Sequence, residues 1–217
     1  EMTLLQDLVK DLPGKAGEFT TTLLLRYETE TVKNAIRLWF ERYIRVRNIA
    51  GGSSYLYTEP IVHEIDYDAV VDAESPSELA QALEGTPYRE PVEARLAEVE
   101  SQRHIFPVEI SLDRYYFSRL SGEAESLPGK DREIALRIIG VEVDLLNIDR
   151  IVRFVSFYRP GERTRLEIFL PGGRIDPETL RKAYGMQEAE DALVTLLGDT
   201  YGEYRSMAGQ YKSNPYT

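Results

Sequence analysis

The sequence contains no cysteine among its 217 residues. This absence excludes disulfide bonds, a thiolate nucleophile and every zinc or iron–sulfur site built on thiolates. Histidine is scarce as well, because only His63 and His104 are present, which is too few for most histidine-based metal cages. No apolar run approaches the ~20 residues of a membrane-spanning helix. We therefore expect no direct membrane insertion, no metal site and no cofactor site.

Basic residues are fewer than acidic residues: the chain has 26 Lys and Arg and 37 Asp and Glu, which gives a net charge of −11. This excess of negative charge argues against nucleic acid as a general partner. Apolar residues make up 42% of the chain and charged residues 29%, which is ordinary for a globular protein of one or two domains. Glu1 precedes Met2, so we expect the N-terminus to be a processing or engineered boundary.

Two long amphipathic helices are the strongest pattern. In the segment 28–47, apolar residues recur in steps of three and one, which places them on one face of a helix. A glycine- and serine-rich stretch at 51–54 is the predicted end of this helix. The second helix is predicted over 145–157 and is stopped by 158–161, which includes Pro160. Its inward positions are predicted to be Ile148, Ile151, Val152 and Val155. Another helix-favouring stretch precedes each of the two, at 19–26 and 134–141.

Shorter helices carry readable start signals. Ser75 precedes Pro76 and lies three residues before Glu78, and Asp176 precedes Pro177, so both are predicted N-caps. Further helices are expected over 91–103, 113–120 and 188–204. Strand signals are weak, since the alternating segment 105–112 contains a proline and 165–170 is short. The predicted fold class is all-α.

The pattern also repeats along the chain. Glu28, Val32 and Arg37 align with Asp144, Ile148 and Arg153 at a constant spacing of 116 residues. Glycine-containing loops and then Ile-Asp pairs, at 65–66 and 175–176, follow in the same order. We predict two tandem helical units, 1–110 and 111–217, that form an elongated or funnel-shaped array.

The residues at the start of the second long helix have predicted structural roles. Asp144 is expected to cap a helix entered at Leu145, and Asn147 to bond the backbone of the preceding helix end. Arg150 and Arg153 are expected to pair with acids on a neighbouring element. The corresponding positions of the first unit are Glu28, Thr31 and Arg37, with Thr29 as a better cap than Glu28.

The segment 140–153 resembles the signature of the C subunit of V/A-type ATPases, whose counterpart in eukaryotic vacuolar ATPases is named d. In that family an acidic residue is followed three positions on by Asn, a branched apolar residue and a basic residue. Segments 111–117 and 169–175 fit the same family. Thr31 stands where the family usually has Asn, and the family has three helical units where this chain accommodates two. About a third of the usual protein is therefore expected to be absent.

The resemblance implies a mechanical function. A protein of this kind is a non-catalytic central-stalk adaptor of a rotary V/A-type proton or sodium ATPase. Its implied partners are the central-shaft subunits and the cytoplasmic face of the membrane proteolipid ring, between which it transmits torque for ion transport. The implied location is cytoplasmic, peripheral to the membrane through the complex, and no catalytic residue is implied.

Other kinds of site have weaker support in the sequence. The basic stretch Lys33, Arg42, Arg45 and Arg47 is either a solvated helix face or a docking face for an acidic partner. Acids around His63 do not have the spacing of an EF-hand, and the turn 171–174 lacks the Gly-Lys-Ser/Thr ending of a phosphate loop. Two rival functions remain open: an α-helical enzyme or small-molecule-binding domain with a pocket between the units, and a helical scaffold without a rotor role.

Overall fold

The protein is all-α, as predicted. A computed structural model describes residues 2–47, 56–157, 168–198, 200–204 and 206, and no β-strand occurs among them. The helices are α1 (Met2–Asp11), α2 (Gly14–Trp39), α3 (Tyr67–Asp72), α4 (Pro76–Ala82), α5 (Arg89–Glu93), α6 (Leu96–Gln102), α7 (Phe106–Glu125), α8 (Gly129–Phe157), α9 (Pro177–Tyr184) and α10 (Ala189–Leu197). A π-helical turn, Phe40–Ile44, continues α2, and a 3-10 turn is formed by Gly202–Tyr204.

The chain divides into two compact units, Glu1–Arg132 and Glu133–Thr217, with the division in the first turn of α8. In the first unit, α2 packs against α1, α3 and α7. The apolar stripe of α2 includes Val32, Ile36 and Trp39, all fully buried. The indole Nε1 of Trp39 donates a hydrogen bond to the carbonyl of Ala73 at 3.1 Å, which fixes the end of α3 against α2.

The second unit contains most of α8, the segment that begins at Ile168, and helices α9 and α10. α9 packs against α10. The buried side chains of the second unit include Val143, Ile151, Ile168, Leu170, Ile175, Leu180 and Leu196. Ile148, Val152 and Val155 are half-buried, so the prediction that they point inward holds only in part. Among the described residues, none of the helices is both long enough and apolar enough to cross a membrane.

Local start signals are confirmed. The hydroxyl of Ser75 accepts a hydrogen bond from the amide of Glu78 at the start of α4. Asp176 accepts from the amides of Glu178 and Thr179 at the start of α9. These caps act over three residues, so local sequence determines them.

Several predicted boundaries were wrong. The stretches 19–26 and 134–141 are not separate helices, since each continues into the following long helix as α2 or α8. The alternating segment 105–112 belongs to the start of α7, where Pro107 sits in the first turn. The predicted helix 91–103 breaks at Ala94 and Arg95 into α5 and α6. The predicted stops at 51–54 and 158–161, and the first half of 165–170, lie outside the described residues.

Candidate functional site

A carboxylate lies fully buried in the middle of α2. Oε2 of Glu28 accepts hydrogen bonds from the backbone amides of Val62 and His63, both at 2.7 Å. Oε1 lies 2.6 Å from Nδ1 of His63 and accepts from the hydroxyl of Tyr88 at 2.9 Å. This arrangement of Glu28 with Val62 and His63, here called the first clamp, pins the segment that precedes α3 to the centre of α2.

A second carboxylate lies fully buried in the middle of α8. Oδ1 of Asp144 accepts from the amide of Ile175 at 3.0 Å, and Oδ2 accepts from the amide of Arg174 at 2.9 Å. The hydroxyl of Tyr201 donates to the same Oδ2 at 2.8 Å. This arrangement of Asp144 with Arg174 and Ile175, the second clamp, pins the segment that precedes α9 to α8.

The prediction that Asp144 caps a helix was wrong. Residues on both sides of Asp144 belong to one continuous helix, and its carboxylate bonds a segment thirty residues further along the chain. Thr29 is not a cap either, because it lies within α2 and its hydroxyl contacts the hydroxyl of Tyr88 at 3.4 Å.

The second clamp requires an acid, because a backbone amide donates to each oxygen of Asp144. An asparagine there would place its own NH₂ group against one of these amides. In the first clamp both amides donate to one oxygen of Glu28, and the other oxygen contacts the hydroxyl of Tyr88 and Nδ1 of His63. Burying a carboxylate is unfavourable unless several hydrogen bonds replace the lost water, and each clamp provides at least three.

Gly173 allows the second clamp to close. A Cβ atom at this position would lie 2.2 Å from Oδ1 of Asp144 and 3.2 Å from its carboxyl carbon. The preceding Gly172 has a φ of 93°, a backbone conformation that L side chains rarely adopt. The two glycines therefore let the turn approach the buried carboxylate. The sequence predicts a turn at 171–174, and this close approach is the reason that the turn contains glycine.

Asn147 adds a second attachment in the same unit. Its Oδ1 accepts from the amide of Leu170 at 2.8 Å and its Nδ2 donates to the carbonyl of Leu170 at 3.0 Å. The predicted bond to a preceding helix end was therefore wrong. At the corresponding position, the hydroxyl of Thr31 donates to the carbonyl of Tyr27 in its own helix at 2.9 Å. Asn147 therefore links two segments, whereas Thr31 bonds within its own helix.

The arginines at the motif positions have different contacts in the two units. Arg37 reaches Oε1 of Glu109 on α7 at 2.5 Å, which agrees with a pairing role between elements. Arg153 bonds Asp149 of its own helix at 2.9 Å on an exposed surface. Arg150 donates to the carbonyl of Ile168 at 3.2 Å. The expectation that Arg153 pairs with an acid on a neighbouring element was therefore wrong, and the expectation for Arg150 stays a prediction.

The predicted basic face does not form one exposed surface. Lys33 is 6% exposed, and its ammonium bonds Asp113 of α7 at 2.8 Å. Arg42 donates to the carbonyls of Val71 and Ala73 at 3.0 and 2.8 Å. Packing of α2 against α7 therefore removes Lys33 from the surface, while Arg42 is half-buried and bonded to the end of α3.

Arg45 and Arg47 remain at the surface. They bond the two carboxylate oxygens of Glu41 at 2.8 and 2.9 Å. Two cations that share one anion leave a local excess of one positive charge. A docking role for this surface stays a prediction.

The tyrosines of the clamps are held in their neutral form. Burial, followed by the hydrogen bond to Asp144, raises the pKa of Tyr201 to about 12. Burial and the charge of Glu28 raise the pKa of Tyr88 and of Tyr67 well above the ordinary value. A neutral hydroxyl donates to the carboxylate, whereas a phenolate would repel it, so each clamp keeps its tyrosine protonated.

The sequence interpretation missed the partners of the two acids, and it missed Leu170, the partner of Asn147. The partners of the acids are Val62, His63, Tyr88, Arg174, Ile175 and Tyr201. One signal was available. Glu28 continues the apolar stripe of Leu24, Leu25 and Val32, and Asp144 falls within the buried face of α8. An acid at such a position must meet donors from elsewhere in the fold. The sequence does not say which donors these are.

The acids around His63 do not assemble into a metal site. Asp66 caps α3 by accepting from the amide of Ala69, and His63 contacts Glu28. Among the described residues, no three potential ligand side chains converge in a way that could hold a metal ion.

The fold and the clamps define an all-helical protein in which two buried acids bind backbone amides and hold two long helices to the segments that follow them. When the sequence is compared with known protein families, one family model matches nearly the whole chain. Residues 2–216 match the family model described as the ATP synthase (C/AC39) subunit. The chain therefore belongs to the C/AC39 family of ATP synthase subunits, and the resemblance seen in the sequence is confirmed.

Similar proteins are named as the C subunit of A-type ATP synthases. The chain is 29% identical to that of Pyrococcus horikoshii over 201 residues, which are 92% of this chain and 51% of the relative. It is 34% identical to that of Methanosphaera stadtmanae over 88 residues, 41% of this chain and 23% of the relative. It is 22% identical to that of Thermococcus kodakarensis over 197 residues, 91% of this chain and 50% of the relative. Where the match covers most of the chain, the chain spans about half the length of the relative. Each of these relatives is named as a subunit of an A-type ATP synthase.

Proposed function

We propose that the chain is a non-catalytic central-stalk adaptor of an A-type or related rotary ATPase. In this function it links the central-shaft subunits to the cytoplasmic face of the proteolipid ring and transmits torque for ion transport. The observation that carries the proposal is the family match over residues 2–216. A cytoplasmic location, peripheral to the membrane through the complex, is part of the same proposal.

The clamps support a load-bearing role. α2 has 26 residues and α8 has 29, so they extend about 39 and 44 Å. A long helix transmits force only if the segments packed on it do not slip. Each clamp fixes such a segment by short hydrogen bonds to a buried charge, which are stronger than neutral hydrogen bonds.

The duplication of the unit is also part of the proposal. Glu28 and Asp144 each hold two consecutive amides and one later tyrosine hydroxyl, in the same order along the chain. In each unit an aspartate cap follows, Asp66 for α3 and Asp176 for α9. The first unit has two more residues between the clamped amides and the cap. The repeat limits 1–110 and 111–217 stay a prediction.

Binding assays test the adaptor role. The chain, checked for helicity by circular dichroism, is mixed with the cognate shaft subunits and, separately, with the detergent-solubilised ring at moderate salt. We expect specific co-elution with both, and no ATP hydrolysis by the chain alone. A folded chain that binds neither would contradict the proposal. Turnover or a ligand-dependent rise in melting temperature in a metabolite screen would favour the rival small-molecule function.

A further inference from the structure

The second clamp holds both ends of a helix pair on one carboxylate. Just before α9, the backbone amides of Arg174 and Ile175 donate to Asp144. After α10, the hydroxyl of Tyr201 donates to the same carboxylate at 2.8 Å. Ile175 and Tyr201 are 26 residues apart along the chain. The pair α9–α10, here called the flap, is therefore a loop whose entry and exit meet at a single buried group.

The first unit closes a helix pair in the same way. The amides of Val62 and His63 donate to Glu28 before α3, and the hydroxyl of Tyr88 donates to Glu28 after α4. His63 and Tyr88 are 25 residues apart, which is nearly the spacing found in the flap. Helices α3 and α4 pack against each other, as α9 and α10 do. The same closure thus occurs twice at nearly the same length, which is not expected of a chance contact.

The flap holds together as a body of its own. Helix α9 packs against α10, and Leu180 and Leu196 are nearly fully buried. The hydroxyl of Thr195 in α10 donates to Sδ of Met186 at 3.4 Å, which joins α10 to the turn after α9. Proteins open locally in cooperative units that often coincide with supersecondary motifs of this kind. The flap is therefore expected to move as one unit.

The flap is less firmly attached than the pair α3–α4. The indole of Trp39 and the guanidinium of Arg42 both donate to the carbonyl of Ala73, so the end of α3 has further bonds to the long helix and its π-helical turn. Tyr88 is fully buried, whereas Tyr201 is half-buried. Water can compete for the hydroxyl of Tyr201, because solvent reaches that residue in the closed state. Of the two pairs, the flap is the one that opens more easily.

The bond between Tyr201 and Asp144 decides whether the flap is held at both ends. The flap also makes apolar contacts with α8, which include the rings of Tyr184 and Phe154 at 6.0 Å. Apolar contacts are non-directional, whereas hydrogen bonds to a carboxylate fix the position of the donor. If the hydroxyl of Tyr201 lets go, the flap remains tied to the carboxylate at its entry alone.

We propose that the flap is a latched conformational element of the second unit. It opens from α8 as one body, and the hydrogen bond between Tyr201 and Asp144 is the latch that sets how often it opens. This behaviour does not depend on the adaptor role, since every contact that carries it lies within one unit.

Native-state hydrogen exchange tests the latch. Tyr201→Phe removes the hydroxyl and keeps the ring, so the amides of α9 and α10 should exchange faster by a common factor of about tenfold or more. Residues 180–184 in α9 are the informative positions, because they are remote from Tyr201 in the sequence. The amides of α8 at 139–147 are the reference within the same unit and should change much less. Tyr204→Phe is the matched control, since Tyr204 lies in the turn after Tyr201 and is 48% exposed.

Three results would overturn the proposal. Faster exchange only at the amides next to Tyr201 would show that the flap does not open as one body. Equal acceleration in α8 and α9 would show that the whole unit unfolds. Equal effects of Tyr201→Phe and Tyr204→Phe would show that the bond to Asp144 is not the latch.

A covalent latch tests the same proposal in the opposite direction, because the chain has no cysteine of its own. The guanidinium of Arg174 lies over the ring of Tyr201 at 5.4 Å, so the two side chains are neighbours. The double variant Arg174→Cys/Tyr201→Cys should exchange as fast in α9 as Tyr201→Phe does. Joining its two thiols with a short bis-maleimide should return exchange in α9 and α10 to the wild-type rate.

The control for the crosslink is Tyr201→Cys alone, capped with N-ethylmaleimide, and its exchange in α9 should stay fast. If the crosslinked chain exchanges as fast in α9 as the same chain before crosslinking, the two ends do not control the flap. If the capped single variant is protected as well as the crosslinked chain, covalent closure is not the cause of the protection. Either result would overturn the proposal.

Discussion

Replacing Gly173 by alanine is the sharpest perturbation of the second clamp. The new Cβ would lie 2.2 Å from Oδ1 of Asp144, far inside normal contact. The carboxylate cannot rotate away without losing hydrogen bonds, because Ile175 donates to Oδ1 while Arg174 and Tyr201 donate to Oδ2. The turn must therefore move, and the hydrogen bonds from the amides of Arg174 and Ile175 lengthen or break.

The expected loss follows from those two hydrogen bonds. A hydrogen bond to a charged group contributes about 1.5–3 kcal/mol, so losing both would cost about 3–6 kcal/mol. If the hydroxyl of Tyr201 still donates to Asp144, we expect a loss of about 3–4 kcal/mol in the free energy of unfolding. A natural domain has only about 5–15 kcal/mol in total, so Gly173→Ala should be severely destabilised.

Urea denaturation followed by far-ultraviolet circular dichroism measures this loss. Gly122→Ala is the matched control, because Gly122 lies inside α7 and its added Cβ would have no neighbour within 4 Å. Alanine is the better helix former there, so the control should gain about 0.5–1 kcal/mol. A Gly173→Ala variant as stable as the wild type would refute the assignment of the clamp.

Three further perturbations test other contacts. In thermal unfolding, Lys33→Met should lower the stability of the first unit more than the double variant Lys33→Met/Asp113→Asn does. The single change removes the ammonium group that pairs with the 16%-exposed carboxylate of Asp113 but leaves that carboxylate in place. Asn147→Asp should destabilise more than Asn147→Ala, since a carboxylate would face the carbonyl of Leu170; equal melting temperatures would contradict this. The raised pKa of Tyr201, about 12, means that its contribution is complete below pH ~10 and is lost as the pH rises toward 12. Stability should therefore fall less steeply in Tyr201→Phe over that interval, and an unchanged slope would show that Tyr201 titrates normally.

Local features of the fold could be predicted from the sequence. The caps by Ser75 and Asp176 were correct because cap and amide are only two or three residues apart. The apolar stripe through Val32, Ile36 and Trp39 was correct because a single helix face defines it. Such features need no knowledge of which segments meet in space.

Features that depend on distant segments could not be predicted in this way. Asp144 looked like a helix cap because aspartate is a good cap, but the turn it holds comes thirty residues later. Lys33 looked solvent-exposed because its partner Asp113 lies on α7, eighty residues away. The sequence therefore marked the right acid positions and assigned them the wrong partners.

Native-state hydrogen exchange at the four clamped amides tests the central claim most directly. Glu28→Gln should accelerate exchange at Val62 and His63, because an amide oxygen accepts hydrogen bonds more weakly than a carboxylate oxygen, while Arg174 and Ile175 remain protected. Asp144→Asn should produce the reverse pattern. If neither variant changes exchange at the amides assigned to it, the buried acids do not hold these segments, and the two helical units are not clamped as described.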